Sequence, residues 1–130
     1  MADNEILLAA ARAAASKAHA PYSSFRVGAA VLADGVVHAG CNVENASYGL
    51  AICAERVAIF AAITAGARRI DAVAVACVDA DAGATPGSLM PCGACRQVMA
   101  EFAAPDMPVL VDGAGSFTLA DLLPVPFALR

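Results

Sequence analysis

The chain has 130 residues, of which 60% are hydrophobic and 15% charged, and its formal net charge is −4. Its eight lysines and arginines form no basic stripe, so binding to a nucleic-acid backbone, which depends on neutralising phosphates, is not expected. Charged residues interrupt every apolar run before the roughly 18 residues that cross a bilayer, so we do not expect a membrane protein. Met1–Asn4 lacks the positive charge of a secretory signal and no apolar leader core follows, so the cytoplasm is the expected compartment.

The first half of the chain is predicted to form a helix, a β-hairpin and a second helix. The predicted ranges are 4–19 for the helix, 25–33 and 36–42 for the strands, and from near Cys53 to Gly66 for the second helix. Apolar residues recur at helical spacing until Pro21, which prevents the helix from continuing. Between the strands, Asp34-Gly35 favours the positive φ angles of a tight hairpin.

The second half alternates strands with a helix. The predicted ranges are 70–78 for a strand, 79–90 for a loop, 91–102 for a helix, and 107–111 and 116–119 for two further strands. The first of these strands is apolar without alternation, as in a strand covered on both faces, and should be central in the sheet. Thr118 is expected to cap a short turn through Leu123. Strands alternating with helices predict one α/β layered domain over residues 1–130.

Two cysteines stand close together in Pro91-Cys92-Gly93-Ala94-Cys95. A gap of two residues places both sulfurs on one side of a helix's first turn, where one soft cation can touch both. We expect Pro91 at the first helical position, since it needs no amide partner there. A redox dithiol and two packed cysteines remain alternatives for this segment taken alone.

An upstream segment, Cys53-Ala54-Glu55, adds a third thiol and a carboxylate where another helix begins. Residues two apart point to opposite sides of a helix interior, so Cys53 and Glu55 must lie at the first turn to face one metal ion. Three protein ligands leave a tetrahedral position open for water, as in catalytic zinc sites. The sequence therefore predicts one zinc ion per chain, bound by Cys53, Cys92 and Cys95. The remaining histidines and cysteines, assigned to packing, are His19, His38, Cys41 and Cys77.

These motifs resemble those of the zinc-dependent deaminases, specifically the small homotetrameric cytidine deaminases. The similar segments occur in the family's order over nearly the whole chain: Pro21–Phe25, Val27–Ala30, Gly40–Asn45, Cys53–Arg56 and Pro91–Gln97. A cysteine as first ligand points towards nucleoside deaminases and away from most polynucleotide and deoxycytidylate deaminases. The resemblance implies a three-layer α/β/α sandwich with a mixed sheet of about five strands.

The resemblance also implies a reaction, the hydrolysis of cytidine and deoxycytidine to uridine and deoxyuridine plus ammonia, in pyrimidine salvage. Zinc would supply hydroxide near neutral pH, and Glu55 would carry protons to ring N3 and to the leaving amine. Because three thiolates around Zn²⁺ sum to −1, a donor cation should help, and Arg56 is the candidate. An exposed helix-face arginine is its alternative role.

Substrate contacts are carried over from the family residue by residue. Phe25 would lie against the pyrimidine face, Asn42 and Glu44 would bind the ribose hydroxyls, and the Ala54 backbone would recognise the base. Tyr48 and Phe127 would enter a neighbouring subunit's site in a homotetramer with shared active sites, although Phe127 could instead be ordinary packing. Two alternatives stay open, namely a deaminase of a modified cytosine nucleoside such as blasticidin S, and a non-enzymatic zinc or redox protein.

Overall fold

The computed structural model describes residues 2–129, and this part of the chain forms four α-helices and five strands. The helices are α1 (Ala2–Ala15), α2 (Ala54–Thr64), α3 (Gly93–Phe102) and α4 (Leu119–Leu122). The strands are β1 (Val27–Ala33), β2 (Val36–Cys41), β3 (Ala72–Cys77), β4 (Pro108–Val111) and β5 (Gly115–Thr118). None of the described helices is long and apolar enough to cross a membrane.

The five strands form one mixed sheet in the order β2-β1-β3-β4-β5. The β3–β4 pair is parallel, and the other three pairs are antiparallel. The central position of β3 is the one predicted from its unbroken apolar run. Asp34 and Gly35 adopt φ angles of 53° and 76°, so the β1–β2 hairpin turns with the predicted positive-φ geometry.

Helices cover both faces of this sheet. On one face, Leu7 and Ala11 of α1 pack with Ala30 and with small residues of β3. On the opposite face, Ile59 of α2 and Met99 of α3 belong to a larger buried cluster that includes alternate residues of β1, β3 and β4. The predicted three-layer α/β/α sandwich with a mixed five-stranded sheet is confirmed.

Two glycines let the helices lie directly on the sheet backbone. A Cβ atom at Gly28 would overlap the carbonyl oxygen of Ala11 in α1. At Gly40 it would lie 2.5 Å from the backbone nitrogen of Ala58 and 2.9 Å from the carbonyl oxygen of Ala54, both in α2. Gly40 therefore sets how closely the start of α2 approaches β2.

Besides the start of α1, which lies at Ala2 and not at the predicted Asn4, two predicted helix boundaries are wrong. The first helix ends at Ala15, four residues before the predicted end at His19, because the next residues turn and the His19 backbone pairs with residues 42–44. The third helix begins at Gly93 with Cys92 as its N-cap, so Pro91 lies before the helix and not at its first position. Neither change moves the cysteines away from a helix start.

Candidate metal centre

Three cysteines from two helix starts meet at one place. Cys53 is the N-cap of α2, Cys92 is the N-cap of α3, and Cys95 lies in the first turn of α3. Their Sγ atoms lie within 4.8 Å of one another, with 3.8 Å between Cys53 and Cys92 and 3.5 Å between Cys92 and Cys95. Tetrahedral zinc with Zn–S bonds of about 2.3 Å needs sulfurs about 3.8 Å apart. The cluster therefore fits three ligands of one zinc ion.

The surroundings of the Cys53 sulfur favour the thiolate form that binds metal. Free N–H groups and the helix dipole at a helix start stabilise negative charge. The Arg56 guanidinium adds a cation, because its Nη2 lies 3.3 Å from the Cys53 Sγ. Hydrogen bonds from Cys95 and Arg56 hold the pKa of the Cys53 thiol well below its usual range. Arg56 thus occupies the place expected of a donor beside the sulfurs.

Glu55 is the charged residue buried next to this cluster. It lies in the first turn of α2 with a relative exposure of 4%. Burial raises its pKa to about 7. A carboxyl group with such a pKa both takes up and releases protons near neutral pH, which is the property required of a general acid–base group.

A cavity of about 300 Å³ opens beside the cysteines. Its wall contains all four predicted substrate residues of its own chain together with the proposed proton carrier: Phe25, Asn42, Glu44, Ala54 and Glu55. Cys53 and Cys92 also line it, so a ligand in the cavity would contact the metal cluster directly. Among the described residues, the charged groups in this wall are both carboxylates, and no lysine or arginine lines it.

The Asn42 side chain links β2 to the segment before β1. Its Oδ1 accepts a hydrogen bond from the Val27 backbone N–H at 2.9 Å, and its Nδ2 donates to the Phe25 carbonyl oxygen at 2.9 Å. These contacts fix both Asn42 and the backbone that carries Phe25. The amide keeps one hydrogen and one oxygen lone pair for a ligand.

The Glu44 carboxylate is held by the loop before β1. It accepts hydrogen bonds from the backbone N–H groups of Tyr22 and Ser23, at 3.0 and 3.2 Å, and from the Ser23 hydroxyl. The Ser23 hydroxyl and these backbone donors lower the pKa of Glu44, so it faces the cavity as an anion. Sequence reasoning missed Ser23, although a serine within the Pro21–Phe25 motif was visible.

The two aromatic residues predicted to act in a neighbouring subunit lie outside this cavity. Tyr48 is 78% exposed and meets Tyr22 edge-on, with ring centroids 6.3 Å apart. Phe127 is 72% exposed, and its backbone exchanges two hydrogen bonds with the Gln97 side chain. Both rings are thus available at the surface of the chain.

The residues assigned to packing do not join the metal cluster, whose members are Cys53, Cys92 and Cys95. Cys77 nevertheless lines the cavity wall, and burial raises the pKa of its thiol to about 11.

Arg96 makes contacts that the sequence did not reveal. Its Nε donates to the Pro91 carbonyl oxygen at 2.8 Å and its Nη1 to the Leu122 carbonyl oxygen at 2.7 Å, which ties the loop before Cys92 to the end of α4.

The chain is similar in sequence to known cytidine deaminases. Residues 1–111 match the family model described as the cytidine and deoxycytidylate deaminase zinc-binding region. A cytidine deaminase from Sporosarcina psychrophila is 47% identical over 97% of this chain and 92% of that protein. A cytidine deaminase from Mycobacterium tuberculosis strain H37Rv is 45% identical over 98% of this chain and 91% of its own length.

Solved structures show the same likeness. The crystal structure of a cytidine deaminase from Burkholderia pseudomallei superimposes with a TM-score of 0.83 at 48% identity, covering 95% of this chain and 98% of that one. The cytidine deaminase structure from Mycobacterium tuberculosis gives a TM-score of 0.84 at 41% identity, covering 98% of both chains.

Proposed function

We propose that this chain, which belongs to the cytidine and deoxycytidylate deaminase family, is an enzyme that hydrolyses cytidine to uridine and ammonia. The observation that supports this function is a buried carboxyl group beside three clustered thiols, two of which line the same cavity as that carboxyl group. The reaction adds water at C4 of the pyrimidine and expels the amino group as ammonia. Deoxycytidine differs from cytidine at a position remote from C4, so we include it as a substrate.

The family's zinc-binding region and the thiol cluster give one zinc ion per chain. Bound zinc supplies Lewis acidity, which lowers the pKa of water towards about 7. We assign Cys53, Cys92 and Cys95 as its ligands. Arg56 donates to the Cys53 sulfur and offsets the negative charge of three thiolates.

Glu55 is the proton carrier in this mechanism. Its carboxylate takes a proton from the attacking water and donates it to N3 of the pyrimidine, which makes C4 electrophilic. It then delivers the second proton of that water to the leaving amine, so cytidine and water become uridine and ammonia. Burial raises the pKa of Glu55, which supports this shuttle because it makes the carboxylate a better proton acceptor than an exposed one.

The cavity wall supports recognition of a free nucleoside. Phe25 packs against the pyrimidine ring and the Ala54 backbone contacts the base, while Asn42 and Glu44 bind the ribose hydroxyls. Glu44 has one accepting lone pair left after its three contacts with the 22–23 loop. Because the charged groups of this wall are carboxylates, a phosphate on the ribose would meet repulsion.

We further propose a homotetramer in which Tyr48 and Phe127 complete a neighbouring subunit's site. Their exposure of 78% and 72% supports this, since large aromatic side chains at a surface favour burial against a partner. We place the enzyme in the cytoplasm, in pyrimidine salvage. The described cysteines are free thiols, and reducing conditions keep metal-binding thiols available.

The test is incubation of zinc-loaded protein with cytidine, deoxycytidine, cytosine and cytidine monophosphate, following the loss of cytosine absorbance and the release of ammonia. Both nucleosides should be converted, whereas the free base and the nucleotide should not. Zinc-loaded protein that converts neither nucleoside would contradict the proposed function.

A further inference from the structure

The Asp79 carboxylate makes three contacts with a single residue, Arg26. Its Oδ2 accepts hydrogen bonds from the Arg26 backbone N–H at 2.7 Å and from Nε at 2.9 Å, and its Oδ1 accepts from Nη2 at 2.8 Å. Bidentate pairing of this kind gives directional as well as electrostatic stabilisation. The Arg26 hydrogen bonds lower the pKa of Asp79 to about 2, so the carboxylate stays ionised near neutral pH.

These contacts lie just beyond the end of the β1–β3 ladder. Val27 and Cys77 form its last antiparallel pair. The Val27 backbone bonds Asn42 on the β2 side, so the adjacent Arg26 N–H faces β3. The ladder supplies no carbonyl oxygen opposite Arg26. The Asp79 carboxylate therefore accepts the hydrogen bond from the Arg26 N–H.

The Arg26 N–H and the Phe25 carbonyl belong to the same peptide unit. Asn42 Nδ2 donates to this carbonyl at 2.9 Å, and Asp79 accepts from this N–H at 2.7 Å. The peptide plane is therefore held from opposite sides, by a side chain next to β2 and one after β3. Because that plane follows the Cα atom of Phe25, it limits the directions in which the ring can enter the cavity.

We propose that Asp79 is a positioning residue for Phe25, which it aims at the pyrimidine by clamping the 25–26 peptide opposite Asn42. This inference rests on the proposed function, in which Phe25 contacts the base. Asp79 itself does not touch substrate. Its loss loosens the ring, and binding of the pyrimidine weakens while the metal and Glu55 stay in place.

The chain contains a matched control for an ordinary surface ion pair. Arg12 and Asp112 form the same bidentate arrangement, with Nε–Oδ2 at 3.0 Å and Nη2–Oδ1 at 2.7 Å. Side-chain exposures are 44% and 31% for this pair, against 49% and 24% for Arg26 and Asp79. The control pair joins α1 to the end of β4 and does not line the cavity.

The experiment compares Asp79→Ala with Asp112→Ala as zinc-loaded enzymes acting on cytidine. We expect Asp79→Ala to raise KM by about fivefold or more while kcat changes by less than about twofold, because uniform binding is lost and the chemical groups are not. Asp112→Ala should leave both constants within about twofold of the wild type. Zinc content should remain one per chain in both.

A double variant tests whether Asp79 affects KM through the position of the Phe25 ring. In a Phe25→Leu background, where KM is already raised, Asp79→Ala should change KM by less than about twofold. If Asp79→Ala does not fold, Asp79→Asn replaces it, since the amide keeps one acceptor but loses the ionic pair, and we expect a smaller rise of KM.

Three results would overturn the positioning role: an unchanged KM in Asp79→Ala, equal KM changes in the two alanine variants, or full additivity with Phe25→Leu. The wild type separates this inference from the proposed function. Absence of cytidine turnover by zinc-loaded wild type would contradict the function itself, whereas normal turnover with an unchanged KM in Asp79→Ala would contradict the clamp alone.

Discussion

Glu55 differs from an ordinary acidic residue at a helix start. Such a residue normally stabilises the helix dipole from the solvent side, whereas Glu55 is buried beside three thiols and burial raises its pKa. A strongly shifted carboxyl group in a cavity is typical of a catalytic group. Its place in Cys53-Ala54-Glu55 made it predictable, but its burial depends on the packing of α2 and could not be inferred from the motif.

Replacing Glu55 by glutamine should preserve the fold and the zinc but lower kcat by about 10²- to 10⁴-fold or more, since the amide keeps the shape and cannot carry protons. Metal analysis and steady-state kinetics measure the two effects. Glu101→Gln, an exposed position on α3, is the matched control and should retain activity. Near-normal turnover by Glu55→Gln would rule out its role as proton carrier.

The five cysteines divide into two groups with different expected behaviour. Alanine at Cys53, Cys92 or Cys95 should remove zinc, because each change deletes one of three ligands. Alanine at Cys41 or Cys77 should leave zinc at one per chain, and Cys77 is the stricter control because it lines the same cavity. The number of zinc ions per chain, measured for each variant after desalting, distinguishes the two groups. Retention by all three ligand variants, or loss in both controls, would show that the ligands are wrongly assigned.

At the scale of elements, the sequence predicted helices and strands in the right order and placed β3 at the centre of the sheet. Periodicity and local turn residues carry that information, as Asp34-Gly35 shows for the hairpin. The end of α1 was wrong because the residues up to His19 contain no helix breaker, and the pairing of His19 with residues 42–44 is a tertiary contact. The same limit applies to Asp79, whose partner lies 53 residues away.

Helix placement can be tested with two glycines that face different helices. Alanine at either Gly28 or Gly40 forces a Cβ into a helix backbone and should destabilise the fold by about 1–3 kcal/mol or more. Gly40→Ala should also impair zinc retention, because it displaces the start of α2, which carries Cys53. Gly28→Ala acts on α1 and should spare the metal site.

Urea unfolding and the rate of zinc transfer to a chelator measure these effects separately. Equal zinc retention by both alanine variants, at equal loss of stability, would show that the position of α2 on β2 does not control the metal centre.

At the scale of the whole molecule, two exposed aromatic residues, Tyr48 and Phe127, have no evident role within a single chain. Phe127 is anchored by Gln97 yet exposes its ring. Tyr48 lines a second pocket, which shares Glu44 and Ala51 with the wall of the cavity. The family resemblance implies that the two rings are shared between subunits. The contacts of one chain leave that assignment a prediction.

Mixing inactive variants tests the sharing. A Phe127→Ala subunit has a working Glu55, and a neighbouring Glu55→Gln subunit has the aromatic ring, so some sites in mixed oligomers should be complete. Refolding the two proteins together should give activity above the sum of the parents, provided that each parent is strongly impaired. Mass measurements verify that mixed oligomers form. Mixed oligomers without any gain would place Phe127 outside the neighbouring site.

The central claim is that this chain deaminates cytidine through one zinc ion held by three cysteines. The most direct test removes the metal with a chelator and returns zinc stepwise while measuring uridine formation. Activity should be absent from the metal-free protein, rise linearly with added zinc and reach its plateau at one zinc per chain. Full activity without metal, or protein that holds one zinc per chain and forms no uridine, would contradict the account.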